Sequence, residues 1–203
     1  MNQIKKYIRS RLPKDHQMEG SATDEQITHF TSLIQNKDVK SIAEIGFNAG
    51  VSSCAFLEAS PEVQVISFDT GEHVYVQDAK KYIDATFPGR HTLLLGNSKT
   101  TVPKFAKDHS STSFDLIFID GGHDFETAKA DLINMKKLAT PNTILIFDDL
   151  TPWHSWGIGP TKAWLEALQS GLVIQEELFK DGKVVDAIEP PGKRSWGVGK
   201  YLF

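Results

Sequence analysis

Two stretches of this chain run apolar for four or five residues and then break abruptly into acid. They are Phe114-Asp115-Leu116-Ile117-Phe118-Ile119-Asp120-Gly121-Gly122-His123 and Thr143-Ile144-Leu145-Ile146-Phe147-Asp148-Asp149. Such runs read as strands buried on both faces, the condition of a parallel sheet. Between them, residues 124–138 set Phe125, Ala128, Leu132, Met135 and Leu138 on a helical stripe. Strand, helix and strand in about thirty residues make a βαβ unit, whose crossover is right-handed. If the two strands are neighbours, their carboxyl ends lie roughly 5 Å apart. Asp120, Asp148 and Asp149 then converge, at the end of the sheet where open α/β folds hold their ligands.

The rest of the chain repeats this alternation. Ser41 to Gly46, Val63 to Asp69 and His91 to Leu95 read as strands; Val51 to Ala59, Val76 to Phe87 and Thr101 to His109 read as helices. Thr23-Asp24-Glu25-Gln26 has the form of a capping box, opening a helix with Ile27, Phe30, Leu33 and Ile34 on one face. A last helix holds Trp164 to Gln169, opened by Pro160 and closed by Gly171. Leu172 to Phe179, a turn at 180–183 and two further extended runs follow, the last from Gly197 to Phe203. Five βα steps and a hairpin-like pair predict an α/β fold. The expected sheet has seven strands, mostly parallel, with helices on both faces and an antiparallel C-terminal edge strand.

Composition narrows the function. A chain of 203 residues, 40% apolar, has enough core to fold as one domain, 1–203. Its net charge of −4 argues against a nucleic-acid surface. Cys54 is the only cysteine, in a helical stretch where it reads as a small core residue, and no intramolecular disulfide can form. No run of apolar residues approaches the length of a membrane span. The opening MNQIKKYIRSRLPK is too charged for a signal peptide and reads as a basic amphipathic helix, an ordinary terminal helix more often than a transit peptide or a membrane-facing one. The cytoplasm is the default expectation, and assembly into a homo-oligomer stays open.

Glu44-Ile45-Gly46-Phe47-Asn48-Ala49-Gly50 joins the first strand to the first helix of the sheet. Its two glycines permit a tight turn and close approach of a ligand. The spacing is neither the G-x-G-x-x-G of dinucleotide folds nor a phosphate-binding loop ending in G-K-[ST]. Asp69, ending the second strand, is placed to accept hydrogen bonds from ribose hydroxyls. A generic βα turn with a helix-capping acid would look the same.

Taken together, E-x-G-x-x-x-G, the acid ending strand two, and D-x-x-H followed by an acidic pair resemble the class I S-adenosylmethionine-dependent methyltransferases, which share a Rossmann-like fold. More narrowly, the chain is similar to the divalent-metal-dependent O-methyltransferases, the catechol O-methyltransferase-like enzymes and their sugar- and antibiotic-modifying relatives. The resemblance runs from about Gly20 to the C-terminus. It implies that Glu44, Gly46 and Asn48 lie along the methionine of the cofactor and that Asp69 holds the ribose. It puts Asn97 and Ser98 near the adenine, Asp120 within cofactor reach, and Gly20 and Ser21 over the methionine carboxylate. The helical segment 1–37 would cover this site.

Methyl transfer to oxygen needs an acceptor that has lost its proton. A divalent ion promotes that loss and fixes the acceptor in line. Oxygen-only ligands favour a hard ion, Mg²⁺ or Mn²⁺, and Asp120, Asp148 and Asp149 fit it. His123, three residues after Asp120, can take the acceptor proton near neutral pH; the resemblance implies the same role, since relatives carry histidine or lysine there as base. Catechol-type enzymes have Asp-Asn where this chain has Asp148-Asp149, and sugar-modifying relatives tend to Glu-Asp. The acceptor is therefore a small hydroxylated molecule whose class (catechol, sugar or other diol) stays open. Trp153 and Trp156, on the loop after the acidic pair, either wall the acceptor or pack the loop onto the last helix. Two other functions stay in view: a metal-independent methyltransferase, and a non-catalytic protein that binds S-adenosylmethionine. Metal-dependent turnover separates all three.

Overall fold

The computed structural model describes residues 3–203; Met1 and Asn2 of the basic N-terminal stretch lie outside them. Eight strands form one sheet: β1 Ser41–Ile45, β2 Gln64–Asp69, β3 His91–Leu95, β4 Leu116–Ile119, β5 Ile144–Phe147, β6 Val173–Lys180, β7 Lys183–Val184 and β8 Ser195–Tyr201. Their order is β3-β2-β1-β4-β5-β8-β6-β7. The first five are parallel, and the last three join antiparallel. Among the described residues seven α-helices surround the sheet: α1 Gln3–Arg9, α2 Asp24–Asn36, α3 Val51–Ala59, α4 Val76–Thr86, α5 Ser98–Asp108, α6 Phe125–Met135 and α7 Ile158–Gln169.

The expected seven strands become eight for a local reason. Asp181 and Gly182 both take positive φ, 48° and 79°, and fold the chain into a tight hairpin that pairs Phe179 with Val184. Such turns match the twist of paired strands. The antiparallel side of the sheet is present as expected, but the C-terminal strand β8 lies inside it, between β5 and β6.

Side-chain alternation in the strands builds two cores. Ile42, Val65, Leu116, Phe118 and Ile146 face α1–α4, where they meet Phe30, Phe56 and Trp196. Ala43, Phe68, Ile117, Leu145 and Phe147 face α5–α7, where they meet Val102, Leu132 and Trp164. Each large side chain so buried contributes about 1.5–3 kcal/mol relative to exposure. Burial on both faces is why the parallel strands carry no polar alternation.

Strand order then fixes the cleft. From β1 the chain winds outward to β2 and β3, and it returns to place β4 and β5 on the other side of β1. The loops leaving β1 and β4 diverge at this reversal, and a crevice opens between them at the carboxyl ends.

Candidate active site

A cleft of about 710 Å³ opens at those strand ends. Gly46 and Asn48 follow β1, Asp69 ends β2, Asn97 and Ser98 follow β3, Asp120 and His123 follow β4, and Asp148 and Asp149 follow β5; all nine line it. Glu19 to Ala22, ahead of α2, also line the cleft, whereas α1 packs against α3 and α4.

Gly46 has φ 95°, and a Cβ there would lie 1.8 Å from the carbonyl oxygen of Asp120. Only glycine lets these two loops approach so closely. Asn48, at φ 50°, donates its backbone N–H to Asp69 Oδ2 at 2.8 Å, and Gly71 N–H reaches Asp69 Oδ1 at 2.7 Å. Asp69 is thereby fixed, with its remaining lone pairs free for a ligand. The side-chain oxygen of Asn48 is buried without a partner.

Glu44 is a correction to the expected cofactor set. It is fully buried beneath the loop, where its carboxylate accepts hydrogen bonds from the hydroxyls of Ser52, Ser53 and Ser67, and it does not line the cleft. Strand alternation explains this: Gly46 reaches the cleft at the strand end, while Glu44, two residues earlier on the same face, stays under α3. Burial raises its pKa, against the pull of the three hydroxyls. Its part is to tie α3 to β1 and β2 below the cleft.

At the other bank, donor atoms of Asp120, His123 and Asp149 lie within 4.8 Å of one another. His123 Nε2 is 3.0 Å from Asp149 Oδ2, and Arg194 Nη1 donates to Asp149 Oδ1 at 3.1 Å. Asp149 sits at φ 60°, in the left-handed region. The expected grouping of Asp120, Asp148 and Asp149 is thus altered: Asp148 lines the cleft, but both its oxygens are engaged. Gln26 Nε2 donates to Asp148 Oδ2 at 2.7 Å, and the Asp149 N–H donates to Oδ1 at 2.8 Å.

Gln26 does two things. Its Oε1 accepts the Thr23 N–H at 3.0 Å, completing the capping box of α2, and this aims its amide nitrogen at Asp148. The box is legible in sequence; its grip on a residue 122 positions away is not. Arg194, from the segment entering β8, was likewise not anticipated.

Crowding shows in the proton affinities. Burial raises the pKa of Asp120 well above the usual carboxylate range, and the charges of Asp148 and Asp149 raise it further. Asp148 is pushed up to about 7, by burial first and then by Asp149. The hydrogen bond with Asp149 raises that of His123. Carboxyls so placed favour a proton or a cation among them.

The loop after β5 closes the site. Trp153 Nε1 donates to the carbonyl of Gly192 at 2.9 Å, and His154 Nε2 is 3.2 Å from the same oxygen. His154 stacks on Trp156 at 4.3 Å, nearly parallel, and Trp156 lines the cleft, 39% exposed. The two tryptophans therefore divide the work, Trp153 pinning the loop and Trp156 offering a flat face to the cavity.

A sequence profile of a methyltransferase domain matches residues 43–150, more than half of the chain. The chain belongs to this methyltransferase family. The match begins in β1 and ends just beyond Asp149, so it contains every strand-end acid of the cleft. No curated protein matches the chain by sequence.

Solved structures share the fold of this methyltransferase. The O-methyltransferase from Bacillus cereus, in complex with SAH, has a TM-score of 0.72 at 18% identity, covering 97% of this chain and 88% of that one. TomG from Streptomyces achromogenes, an O-methyltransferase of tomaymycin synthesis in complex with SAM, gives 0.71 at 14%, covering 100% of each chain. CalS11, a TDP-rhamnose 3'-O-methyltransferase of calicheamicin biosynthesis, gives 0.63 at 23%, covering 86% and 80%. Among the described residues no helix is long and apolar enough to cross a membrane.

Proposed function

We propose that the protein is an S-adenosylmethionine-dependent O-methyltransferase acting on a hydroxyl of a small molecule, with a divalent ion, Mg²⁺ or Mn²⁺, at its acidic cluster. One observation carries the reading: His123 stands beside Asp120 and Asp149 on one bank of a cleft whose other bank presents Asp69 and a glycine turn. A base and an acidic cluster thus face a nucleoside-type acid.

The residues fit both groups. Asp69, held by two amides, suits a ribose, and the unpartnered oxygen of Asn48 suits a donor on the methionine side. Asp120 and Asp149 supply carboxylate oxygens, with Asp148 and Gln26 braced behind them. A bound divalent ion would lower the pKa of a hydroxyl placed on it. His123 is the group that accepts the released proton, with Asp149 stabilising the imidazolium that results. Trp156 gives the acceptor ring a surface to lie against, which suits a sugar or a catechol equally. The relative that methylates a TDP-linked rhamnose adds weight to a sugar acceptor. A net charge of −4 and an acidic cleft disfavour nucleic acid as acceptor.

A second reading has its own support. Arg194 and His123 already balance Asp149, so the site can work as a metal-independent methyltransferase in which Arg194 supplies the positive charge.

Calorimetry tests the cofactor. S-adenosylhomocysteine should bind the purified protein while NAD and ATP do not; tight NAD binding with no response to S-adenosylhomocysteine would overturn the proposal.

A further inference from the structure

Helix α6 carries an acid where its buried stripe calls for an apolar residue. Ala128, Leu132 and Met135 pack into the core beside it, and Asp131 on the same face is 0% exposed. Neither of its carboxylate oxygens has a hydrogen-bond partner among the described residues. Burial raises its pKa to about 6, against the pull of the nearby Ser98 hydroxyl. A buried carboxylate without partners works against folding, so its retention has to be explained by its surroundings.

Those surroundings are the turn that carries the site. A Cβ on Gly121 would lie 2.9 Å from Asp131 Oδ2, so the carboxylate presses directly on the chain between Asp120 and His123. The backbone amides of Gly121, Gly122 and His123 donate to no group of the described protein. These three residues and Asp131 line one small cavity, closed by Ala128, Phe147 and Pro160, with about 10 Å³ of room for the centre of a water. That is about the space a single bridging water occupies. Three donors and one acceptor with unused capacity thus share a space of the right size.

We propose that Asp131 is a positioning residue: one bridging water accepts hydrogen bonds from up to two amides of the Gly121-Gly122-His123 turn and donates an O–H to the carboxylate, and so sets the direction in which Asp120 and His123 enter the cleft. Asp131 touches no reacting atom. The inference rests on the functional reading above, because it assigns Asp131 to that same site.

The test compares the parent with Asp131→Ala, which removes both acceptors, and Asp131→Asn, which keeps one. Hydrogen exchange of residues 120–124, Tm, and methyl transfer to catechol as the probe acceptor are measured for all three. Asp131→Ala takes away the acceptor the bridging water needs, so exchange in the turn should quicken at least about tenfold, whatever the sign of the change in Tm. Methyl transfer should fall about 10²-fold, the scale of a small misplacement of reacting groups, with KM for S-adenosylmethionine unchanged. Asp131→Asn should recover part of both effects. An ordinary core residue would behave differently: exchange of 120–124 and turnover unchanged, whatever the Tm, overturns the proposal. If the parent binds no S-adenosylhomocysteine, the functional reading fails, and the exchange rates alone then support or overturn the role of Asp131.

Discussion

Asp149 holds His123 and Arg194 at once, the imidazole 3.0 Å from Oδ2 and the guanidinium 3.1 Å from Oδ1. One carboxylate thus orients the candidate base and anchors the segment entering β8. The raised pKa of His123 has a definite sign for stability. Its folded value exceeds the unfolded one of about 6.5, so the pairing is fully stabilising below that pH. The contribution is lost as pH rises through the folded value. The Tm difference between the parent and His123→Ala should be largest near about pH 6 and shrink toward about pH 9. A difference that widens with pH would contradict this pairing.

His123→Ala should also lower turnover at neutral pH by roughly 10²–10⁴-fold while sparing S-adenosylhomocysteine affinity. The loss should diminish in alkaline buffer, where the acceptor ionises without help. Wild-type turnover at pH 7 in this variant would remove His123 from the chemistry.

Asp69→Ala should weaken S-adenosylhomocysteine binding by about 1–3 kcal/mol, the scale of hydrogen bonds to a charged group. Glu44→Gln, by contrast, should change that affinity little, because Glu44 lies under the loop and outside the cleft. Titration calorimetry of the two variants checks both statements, and equal losses would contradict the geometry.

Much of this arrangement was written locally. An apolar run that stops at an acid marks both the end of a buried strand and the place where ligands bind, so Asp69, Asp120 and Asp148 were legible together. The capping box at Thr23 and Gln26 was equally plain. The contacts that crossed the chain were hidden: Gln26 to Asp148 and Arg194 to Asp149 depend on how distant segments meet. The burial of Glu44 under α3 was hidden because a motif gives spacing along a strand and not what its side chain meets under the next helix. Asp131 did leave a trace, as an acid on the apolar stripe with Ala128, Leu132 and Met135.

In the proposed site Arg194 and a divalent ion would compete for the same carboxylate, that of Asp149. Arg194→Gln should therefore lower the Mg²⁺ concentration giving half-maximal turnover by about tenfold, since a hydrogen bond to a charged group exceeds about 1.4 kcal/mol. In the metal-independent reading the same variant loses turnover whatever the Mg²⁺ concentration. A titration of activity against Mg²⁺ in parent and variant separates the two.

The most direct measurement is transfer of a labelled methyl group from S-adenosylmethionine to a catechol or sugar diol, by parent and Asp148→Asn, each in EDTA and in millimolar Mg²⁺, with Tm recorded alongside. The pKa of Asp148, raised to about 7, means that the folded state binds its proton more tightly than the unfolded chain. Stability should fall as pH climbs from about 4 through about 7, and Asp148→Asn escapes that loss. Without metal the variant should melt at or above the parent in neutral to alkaline buffer. Mg²⁺ should raise the Tm of the parent by linkage and that of the variant little. The parent should transfer label in Mg²⁺ and stop in EDTA, and the variant should be inactive in both. Full transfer by the parent in EDTA would contradict the proposal that Asp120 and Asp149, with Asp148 braced behind them, hold a catalytic ion.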